Sequence, residues 1–301
     1  MAKTGTQIEL DGKTLSLSNL DKVLYPRARF TKGQLIDYYI RIAPALLPHL
    51  HDRALTLKRY PNGVEGEFFY EKKCPSFRPK WIKTAPVWSD TNDAEINYCL
   101  ANDLPSLVWA ANLADLELHT SLARRNKLDQ PTFMVFDLDP GPETDIVDCC
   151  RVGLQLRDFF EHLNLKCFAK TSGSKGLQVY VPMNTRVTFE ETKNFAREVA
   201  LNFAAQHPDQ IVWQMAKALR KGKVFIDWSQ NDHHKTTVCV YSLRAKDRPT
   251  VSTPVKWAEV EKASAGGKLS FEADDVVARV KKYGDLFEPV LTLKQKLPAI
   301  A

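Results

Sequence analysis

Hydrophobic residues recur at two different spacings along the first 130 residues, and each spacing predicts a different kind of element. Helical spacing follows Thr31 and predicts a capped amphipathic helix that ends near Pro48, with an apolar face formed by Leu35, Tyr38, Tyr39, Ile42 and Leu46. Short apolar runs at 54–60 and 66–71 predict two strands. Strict alternation over 115–119 predicts another strand, with one face formed by Asp115, Glu117 and His119.

Predicted strands and helices alternate regularly over the second half of the chain. Strands are expected at 132–138, 166–171, 177–182, 224–228 and 238–243, and helices at 144–163 and 188–205. The second helix begins with Thr188 and Glu191, which are spaced as in a capping box. Up to 228, the order strand–helix–strand–strand–helix–strand resembles the split βαβ arrangement of ferredoxin-like and RNA-recognition-motif folds. We therefore expect an α+β protein with one compact body, a single domain made of an N-terminal lobe (1–130) and a second lobe (131–301).

Composition and cysteine spacing narrow the class of protein. The 301 residues are 44% hydrophobic and 26% charged, which is typical of a globular protein. No apolar run reaches the roughly 18 residues of a membrane span, and the start of the chain has no apolar core of a signal peptide. The six cysteines lie far apart except for Cys149 and Cys150, so we expect a reducing, cytoplasmic setting with neither structural zinc nor a disulfide scaffold. His233 and His234 are interpreted as loop residues without a carboxylate or cysteine partner at ligand spacing.

The net charge of +6 is modest, but its distribution is uneven. Residues 217–248 include eight basic residues and three acidic ones. A second basic zone extends over residues 22–32 and 58–83. Such clustering favours a polyanionic partner such as nucleic acid, although a soluble basic surface has the same composition.

Carboxylates at strand ends are the strongest chemical feature. Asp137 and Asp139 are two residues apart before Pro140, so both side chains lie on one strand face. Two close carboxylates repel each other unless a cation lies between them, and oxygen ligands select Mg²⁺ or Mn²⁺. Asp227 ends another apolar strand and completes a set that suits two-metal nucleotidyl transfer. Without a metal, Asp137 and Asp139 would belong to an exposed acidic turn, and Asp227 would form a salt bridge.

The segment 171–176 (Thr-Ser-Gly-Ser-Lys-Gly) lies between two predicted strands and is a candidate phosphate-binding loop. Small residues let backbone N–H groups approach an anion, and Lys175 supplies charge. The segment lacks the spacing of a Walker A loop, and a flexible hairpin turn would have the same composition. Arg244, after a predicted strand, could clamp a triphosphate or be an ordinary surface arginine.

Two further features have competing interpretations. His119 ends its alternating strand and, taken alone, is more typical of a structural histidine. The aromatic triplet 68–70 could stack on bases or ribose. A core triplet is the more common arrangement, with one or two of its members facing inward.

Taken in order, these segments resemble the polymerase (primase-polymerase) domain of bacterial DNA ligase D, in the archaeo-eukaryotic primase superfamily. The resemblance covers nearly the whole chain, and several motifs in order are far more specific than any single one. It rests on the segments 17–26, 31–33, 55–63, 136–140, 171–176, 224–231, 241–245 and 251–254. The resemblance implies a catalytic core like an RNA-recognition motif, of the primase type, with the N-terminal lobe packed on it.

The resemblance also implies roles for individual residues. Two metal ions, Mn²⁺ or Mg²⁺, would be held by Asp137, Asp139 and Asp227. The incoming NTP or dNTP would be bound by Lys58, His119, Ser172, Lys175, Gln178, Gln230 and Arg244. The 5′-phosphate of DNA would be bound by Asn19, Lys22 and Lys32, and stacking on the template and nucleotide would fall to Phe69 and Tyr70.

The implied activity is metal-dependent nucleotidyl transfer in bacterial non-homologous end joining. Such enzymes add ribonucleotides, and less readily deoxyribonucleotides, to 3′-hydroxyl ends at DNA gaps or double-strand breaks. The implied partners are DNA with a 5′-phosphate and, from the family alone, Ku and a ligase. No membrane partner is expected, and the implied location is the cytoplasm, in association with the nucleoid. The alternatives are a free-standing primase-polymerase for gap-filling repair, a nuclease or phosphodiesterase, and a non-catalytic module that bridges DNA ends.

Gln178 departs from the family's pattern, which has a histidine at this position. Glutamine can donate a hydrogen bond to a phosphate oxygen, but it carries no positive charge and exchanges no proton. Triphosphate affinity, or its pH dependence, is therefore the property in which this chain would differ from the family.

Overall fold

The computed structural model describes residues 5–89 and 92–298. The first strands and helices are β1 (Thr6–Leu10), β2 (Lys13–Leu17), β3 (Val23–Tyr25), β4 (Phe30–Thr31), α1 (Lys32–Leu50), β5 (Leu55–Arg59), β6 (Phe69–Glu71), β7 (Thr84–Ser89), β8 (Ala94–Cys99), α2 (Leu104–Asn112), β9 (Asp115–Thr120), β10 (Ala123–Arg124) and β11 (Lys127–Pro131). They are followed by β12 (Phe133–Pro140), α3 (Ile146–His162), β13 (Phe168–Thr171), β14 (Leu177–Pro182), α4 (Phe189–Gln206), β15 (Ile211–Val212), β16 (Val224–Asp227), β17 (Thr237–Val238), β18 (Pro254–Val255), α5 (Trp257–Ser264), α6 (Ala273–Tyr283) and α7 (Pro289–Thr292). The first four residues of the chain, where no signal peptide is expected, lie outside the described ranges.

The chain divides into two units. Unit 1 comprises Met1–Ser121, Val238–Val251 and Phe271–Gly284, and unit 2 comprises the remainder. Two late segments of the chain thus return to unit 1, whereas the sequence places one boundary at residue 130. The expectation of a single domain stays a prediction.

Unit 2 is built around a six-stranded sheet in the order β15-β16-β12-β14-β13-β18. Its central part follows the chain order β12, α3, β13, β14, α4 and β16, with antiparallel neighbours. This is the predicted split βαβ order, and the α+β class is confirmed. Both helices begin with a capping box, at Asp145 for α3 and at Thr188 for α4, which fixes where each chain segment leaves the sheet.

Unit 1 contains a sheet in the order β17-β9-β5-β8-β7, with β6 paired to β5. Helix α1 is capped by Thr31 and Gln34, and it packs against α2. Its apolar face buries the predicted residues, including Tyr38 and Tyr39. The helix continues two residues past Pro48, and Pro44 also lies inside it.

The expectation of a strand over residues 238–243 is wrong for most of that range. Strand β17 covers only Thr237–Val238. The chain then turns, because Tyr241 has a φ of 64° and the N–H of Ser242 donates to the carbonyl oxygen of Cys239 at 3.2 Å. A left-handed residue interrupts the extended backbone that a strand needs. The apolar spacing here reflects burial in a turn.

The cysteines also differ in part from the expectation. Cys74 and Cys99 form a disulfide, whereas Cys149, Cys150, Cys167 and Cys239 are buried thiols outside that disulfide. The pair is 25 residues apart, and β8 brings it together, since the N–H of Cys74 donates to the carbonyl oxygen of Asn97 at 2.7 Å. Within the described ranges, no helix is long and apolar enough to cross a bilayer.

Candidate active site with an acidic row and a cation cluster

One register line crosses the sheet of unit 2 and carries the candidate metal ligands. Asp137 of β12 lies directly opposite Asp227 of β16 on one side and Gln178 of β14 on the other. Gln178 in turn lies opposite Lys170 of β13. Directly opposed residues share a sheet face, and Asp139 shares it because it is two residues beyond Asp137. We call these five residues the acidic row.

Asp137 is the most constrained member of the acidic row. Burial, with repulsion from Asp139 and Asp227, raises the pKa of Asp137 to about 7, although a hydrogen bond from Gln178 and the charge of Lys170 lower it. Its Oδ1 atom is buried and has no hydrogen-bond partner. Buried carboxylate oxygens are rarely left unpaired, so this one marks a position where a cation would be favourable.

Asp227 is held in place by its own strand end. Its Oδ1 accepts hydrogen bonds from the backbone N–H of Ser229 at 2.9 Å and from its Oγ at 2.5 Å. Its Oδ2 accepts from the Nε2 of Gln230 at 2.8 Å. Gln230, which the family resemblance assigns to nucleotide binding, therefore orients a carboxylate of the acidic row.

Gln178 is buried against a cation. The fully buried Lys170 donates to the Oε1 of Gln178 and, at 2.6 Å, to the Oγ of Ser252. The Nε2 of Gln178 lies 3.5 Å from the Oγ1 of Thr237. Lys170 therefore supplies a positive charge beside Gln178, and nothing in the sequence pattern singled it out.

The candidate phosphate loop is a tight connection between β13 and β14. The Oγ of Ser172 accepts backbone N–H groups from Ser174 at 3.2 Å and Gly176 at 3.1 Å, so these two donors already have a partner inside the loop. Lys175 is exposed. A cavity of about 410 Å³ borders the loop and is lined by Gly173–Gly176, the end of β12 and the start of α3. Its size is in the range of small-molecule sites.

The fit of metal ions to these residues can be judged from the donor set. Three carboxylates that share a face, one with an unpaired buried oxygen, suit hard divalent cations. They are not a single preformed three-ligand set, since among the described residues only one group brings three ligand atoms within 4.8 Å of one another.

That one group is Asp232, His233 and His234, which corrects the expectation that the two histidines lack a carboxylate partner. The Nδ1 of His233 lies 3.6 Å from the Oδ1 of Asp232. Asp232 directly precedes His233, a spacing that does not occur in known ligand motifs. Asp232 also binds Lys193 at 2.5 Å, which competes with any ion.

In unit 1, three of the predicted nucleotide-binding residues meet at one buried carboxylate. The Oε2 of Glu117 lies 3.2 Å from the Nζ of Lys58, 3.0 Å from the Nε2 of His119 and 3.3 Å from the Nε of Arg244. Its Oε1 accepts the backbone N–H of Ala245 at 3.0 Å. We call these residues the Glu117 cluster. The alternation over 115–119 placed Glu117 and His119 on one face, but it gave no sign that Lys58 and Arg244 would join them.

Mutual charge effects set the protonation of this cluster. Burial, aided by the charges of Arg244 and Lys58, holds the pKa of His119 below its usual value despite the opposing effect of Glu117. Burial also lowers the pKa of Lys58, but Glu117 and Tyr60 outweigh it and raise that pKa above its ordinary value. At neutral pH the cluster therefore contains two full positive charges, one carboxylate and a neutral imidazole.

The aromatic triplet is exposed throughout, so the expectation of inward-facing members is wrong. Phe68, Phe69 and Tyr70 are 49%, 43% and 56% exposed. Lys58 and Arg59 cover them instead of a core, with Lys58 Nζ 4.7 Å from the ring centre of Phe68 and the guanidinium of Arg59 5.0 Å from that of Phe69. Exposed rings over cations are suited to stacking on bases.

The residues predicted for the 5′-phosphate lie on one short stretch of unit 1. Asn19 has a left-handed φ of 53° and its carbonyl accepts the N–H of Lys22 at 3.0 Å. The backbone N–H of Lys32 donates to the carbonyl oxygen of Lys22 at 2.8 Å. The Nζ of Lys32 donates to the carbonyl oxygen of Ser18 at 2.7 Å. Burial, with repulsion from Lys22 and Arg59, lowers the pKa of Lys32 to about 8. Two like charges held this close are stabilised by a bound anion.

Comparison with known proteins identifies the family. The model of the LigD primase-polymerase domain matches residues 31–287. The chain belongs to the LigD primase-polymerase family. The family resemblance stated from the motifs is thus confirmed.

Relatives of this family span the chain at moderate identity. The chain is 39% identical over 276 residues to the multifunctional non-homologous end joining protein LigD of Mycolicibacterium smegmatis, covering 91% of this chain and 36% of that protein. It is 30% identical over 271 residues to the bifunctional non-homologous end joining protein LigD of Bacillus subtilis, covering 90% of this chain and 43% of that protein. The chain therefore spans about two fifths or less of the curated relatives it matches.

A solved LigD polymerase structure has the same fold. The polymerase domain of Mycobacterium tuberculosis ligase D, in complex with DNA, superposes with a TM-score of 0.87 at 34% identity, covering 93% of this chain and 99% of that chain. LigD primase-polymerases are metal-dependent nucleotidyltransferases.

Proposed function

We propose that this LigD primase-polymerase adds ribonucleotides, and less readily deoxyribonucleotides, to 3′-hydroxyl ends at DNA gaps and double-strand breaks in non-homologous end joining. The observation that carries the proposal is the acidic row, in which Asp137 has an unpaired buried oxygen beside Asp139 and Asp227. Such a set of acids in a family of primase-polymerases favours nucleotidyl transfer. Ku and a ligase are proposed as partners on the family's names alone.

Within this proposal, Asp137, Asp139 and Asp227 would hold two divalent ions, Mn²⁺ or Mg²⁺. When bound, these ions lower the pKa of the attacking hydroxyl and offset the charge of the leaving pyrophosphate. The chain's own residues prepare the site: Ser229 and Gln230 fix the direction of Asp227, and Gln178 donates to Asp137. No side chain need act as a strong base.

The remaining predicted residues are proposed for substrate binding. In unit 2, Ser172, Lys175 and Gln178 are proposed to bind nucleotide phosphates. In unit 1, nucleotide binding is proposed for Lys58, His119 and Arg244. The 5′-phosphate of the DNA would be bound by Asn19, Lys22 and Lys32, and the exposed Phe69 and Tyr70 would stack on bases. The buried Lys170, which donates to Gln178, would supply a positive charge near the phosphates.

Primer extension on gapped DNA with a 5′-phosphate and Mn²⁺ tests the proposal, with NTPs, dNTPs and no nucleotide compared. Wild-type protein should extend the primer, with NTPs preferred. Asp137→Asn should lower extension by about a hundredfold or more while DNA binding is retained, because a lost metal ligand costs several kcal/mol of transition-state stabilisation. Asp129→Ala, at an exposed aspartate of β11 in the same unit, is the matched control and should behave as wild type.

Each alternative predicts a different result. Full activity of Asp137→Asn would exclude the acidic row as the metal site. Shortening of the primer without added nucleotide would indicate a nuclease. DNA end bridging without any extension by wild-type protein would indicate a non-catalytic module, and extension from an unprimed strand would favour a free-standing primase-polymerase.

A further inference from the structure

A buried carboxylate with no assigned role lies among the proposed nucleotide-binding cations. Glu117 is 1% exposed and occupies the middle of β9. One of its oxygens is shared by Lys58, His119 and Arg244, and the other accepts the backbone N–H next to Arg244. We propose that Glu117 is a positioning residue for the nucleotide, which holds these three head groups in the directions that bind phosphate. This inference rests on the proposed function.

The contacts with Glu117 direct the cations. An ammonium has three N–H donors and a guanidinium has five, so one contact with a carboxylate oxygen orients the group. His119 offers one nitrogen to Glu117, and its ring meets that of Tyr70 edge to face at 6.0 Å. The carboxylate offsets only one of the two full positive charges nearby, so the cluster stays attractive to a polyanion.

Glu117 is held in its charged form, as the positioning role requires. Burial alone would raise its pKa, but the hydrogen bond from His119 and the charges of Arg244 and Lys58 outweigh burial and hold the pKa of Glu117 well below its usual value. Lys58 and Arg244 come from distant parts of the chain, on β5 and after β17. Glu117 is a buried partner that both cations share with His119.

Asp115 provides a matched control on the same strand. It lies on the same face of β9, two residues before Glu117, and is fully buried. Burial raises the pKa of Asp115 well above its usual value. The backbone N–H of Lys58 donates a hydrogen bond that offsets this shift only in part. Asp115→Asn and Glu117→Gln each replace a buried carboxyl group of one strand by an amide, and of the two acids it is Glu117 that contacts the charged head groups of Lys58 and Arg244.

The test measures steady-state extension of a gapped primer with ATP and Mn²⁺ for wild type, Glu117→Gln and Asp115→Asn. We expect Glu117→Gln to raise KM for ATP about tenfold or more, while kcat changes less than about threefold, because ground-state binding of the phosphates is lost. Asp115→Asn should leave both constants unchanged. In nuclear magnetic resonance titrations, Glu117→Gln should lower the pKa of His119 further, because the neighbouring charges of Arg244 and Lys58 would act unopposed.

Three outcomes would overturn the inference. A wild-type KM in Glu117→Gln would refute positioning while the proposed function stands, because wild-type protein still extends the primer. Equal losses of kcat and thermal stability in both variants would mean that buried acids of β9 are merely structural. Failure of wild-type protein to extend any primer would refute the proposed function, and the inference with it.

Discussion

The charge of Lys32, one of the proposed DNA-binding residues, changes near physiological pH. Burial, with repulsion from Lys22 and Arg59, lowers its pKa to about 8. In the proposed 5′-phosphate site, protonated Lys32 would bind the phosphate and neutral Lys32 would not, so the preference for phosphorylated ends should be full well below pH 8 and lost as the pH rises through this value. A bound phosphate favours the charged form and moves the loss somewhat higher. The phosphate itself titrates near pH 6 and is already a dianion in this range.

Fluorescence anisotropy with recessed DNA that carries a 5′-phosphate or a 5′-hydroxyl, between pH 6.5 and 9.5, would detect this change. The affinity ratio of the two DNAs should fall by about tenfold over the range. Lys32→Met retains the buried stem and should have a small ratio at every pH. If the pH-dependent fall persisted in Lys32→Met, another group would be responsible.

The phosphate-loop connection between β13 and β14 depends on a glycine at its end. A Cβ on Gly176 would lie 2.1 Å from the carbonyl oxygen of Leu138 in β12. Gly176→Ala should therefore displace the loop from the strand that carries Asp137 and Asp139, destabilise the protein by about 1–3 kcal/mol and raise KM for the nucleotide. Urea denaturation and primer extension measure the two effects. Ser174→Ala, at an exposed position in the same loop, should change stability by less than about 0.5 kcal/mol, and an equal loss there would contradict the packing argument.

At the level of elements, the sequence predicted what is determined locally. The caps at Thr31 and Thr188 and the apolar runs around β12, β14 and α4 defined the split βαβ order, because local hydrogen bonds and hydrophobic periodicity specify helices and buried strands. The periodicity over 238–243 failed, since burial does not distinguish a turn from a strand. Two positive dihedral angles were equally invisible, at Asn19 and Tyr241.

Contacts between distant segments were beyond local patterns. The sequence predicted that Asp137 and Asp139 share a face, because two residues of one strand suffice for that inference. The pairing of Asp137 with Asp227 depends on the register between two strands. The sequence indicated it only because a third carboxylate would complete a metal-binding set. The contacts of Glu117 with Arg244 and of Lys170 with Ser252 have no local sequence signature, because these partners lie far along the chain.

At the scale of the whole molecule, total charge and charge position make different predictions about DNA binding. The net charge of +6 is small for a nucleic-acid-binding protein of 301 residues. Attraction by total charge would make every exposed lysine nearly equivalent. Binding through a defined phosphate contact would make a few lysines essential, because affinity and its salt dependence follow the number of phosphates contacted.

Lys22→Ala and Lys281→Ala separate these possibilities, because each removes one exposed positive charge and changes the net charge from +6 to +5. Lys22 lies next to Lys32, where repulsion already favours a bound anion, whereas Lys281 lies on α6. We expect Lys22→Ala to weaken binding to 5′-phosphorylated gapped DNA about tenfold and to reduce the slope of log K against log salt by about 1. Lys281→Ala should change neither quantity, and both variants should bind DNA with a 5′-hydroxyl alike. Equal losses for the two variants would mean that the chain is attracted by its total charge, and the 5′-phosphate site at Asn19, Lys22 and Lys32 would have to be abandoned.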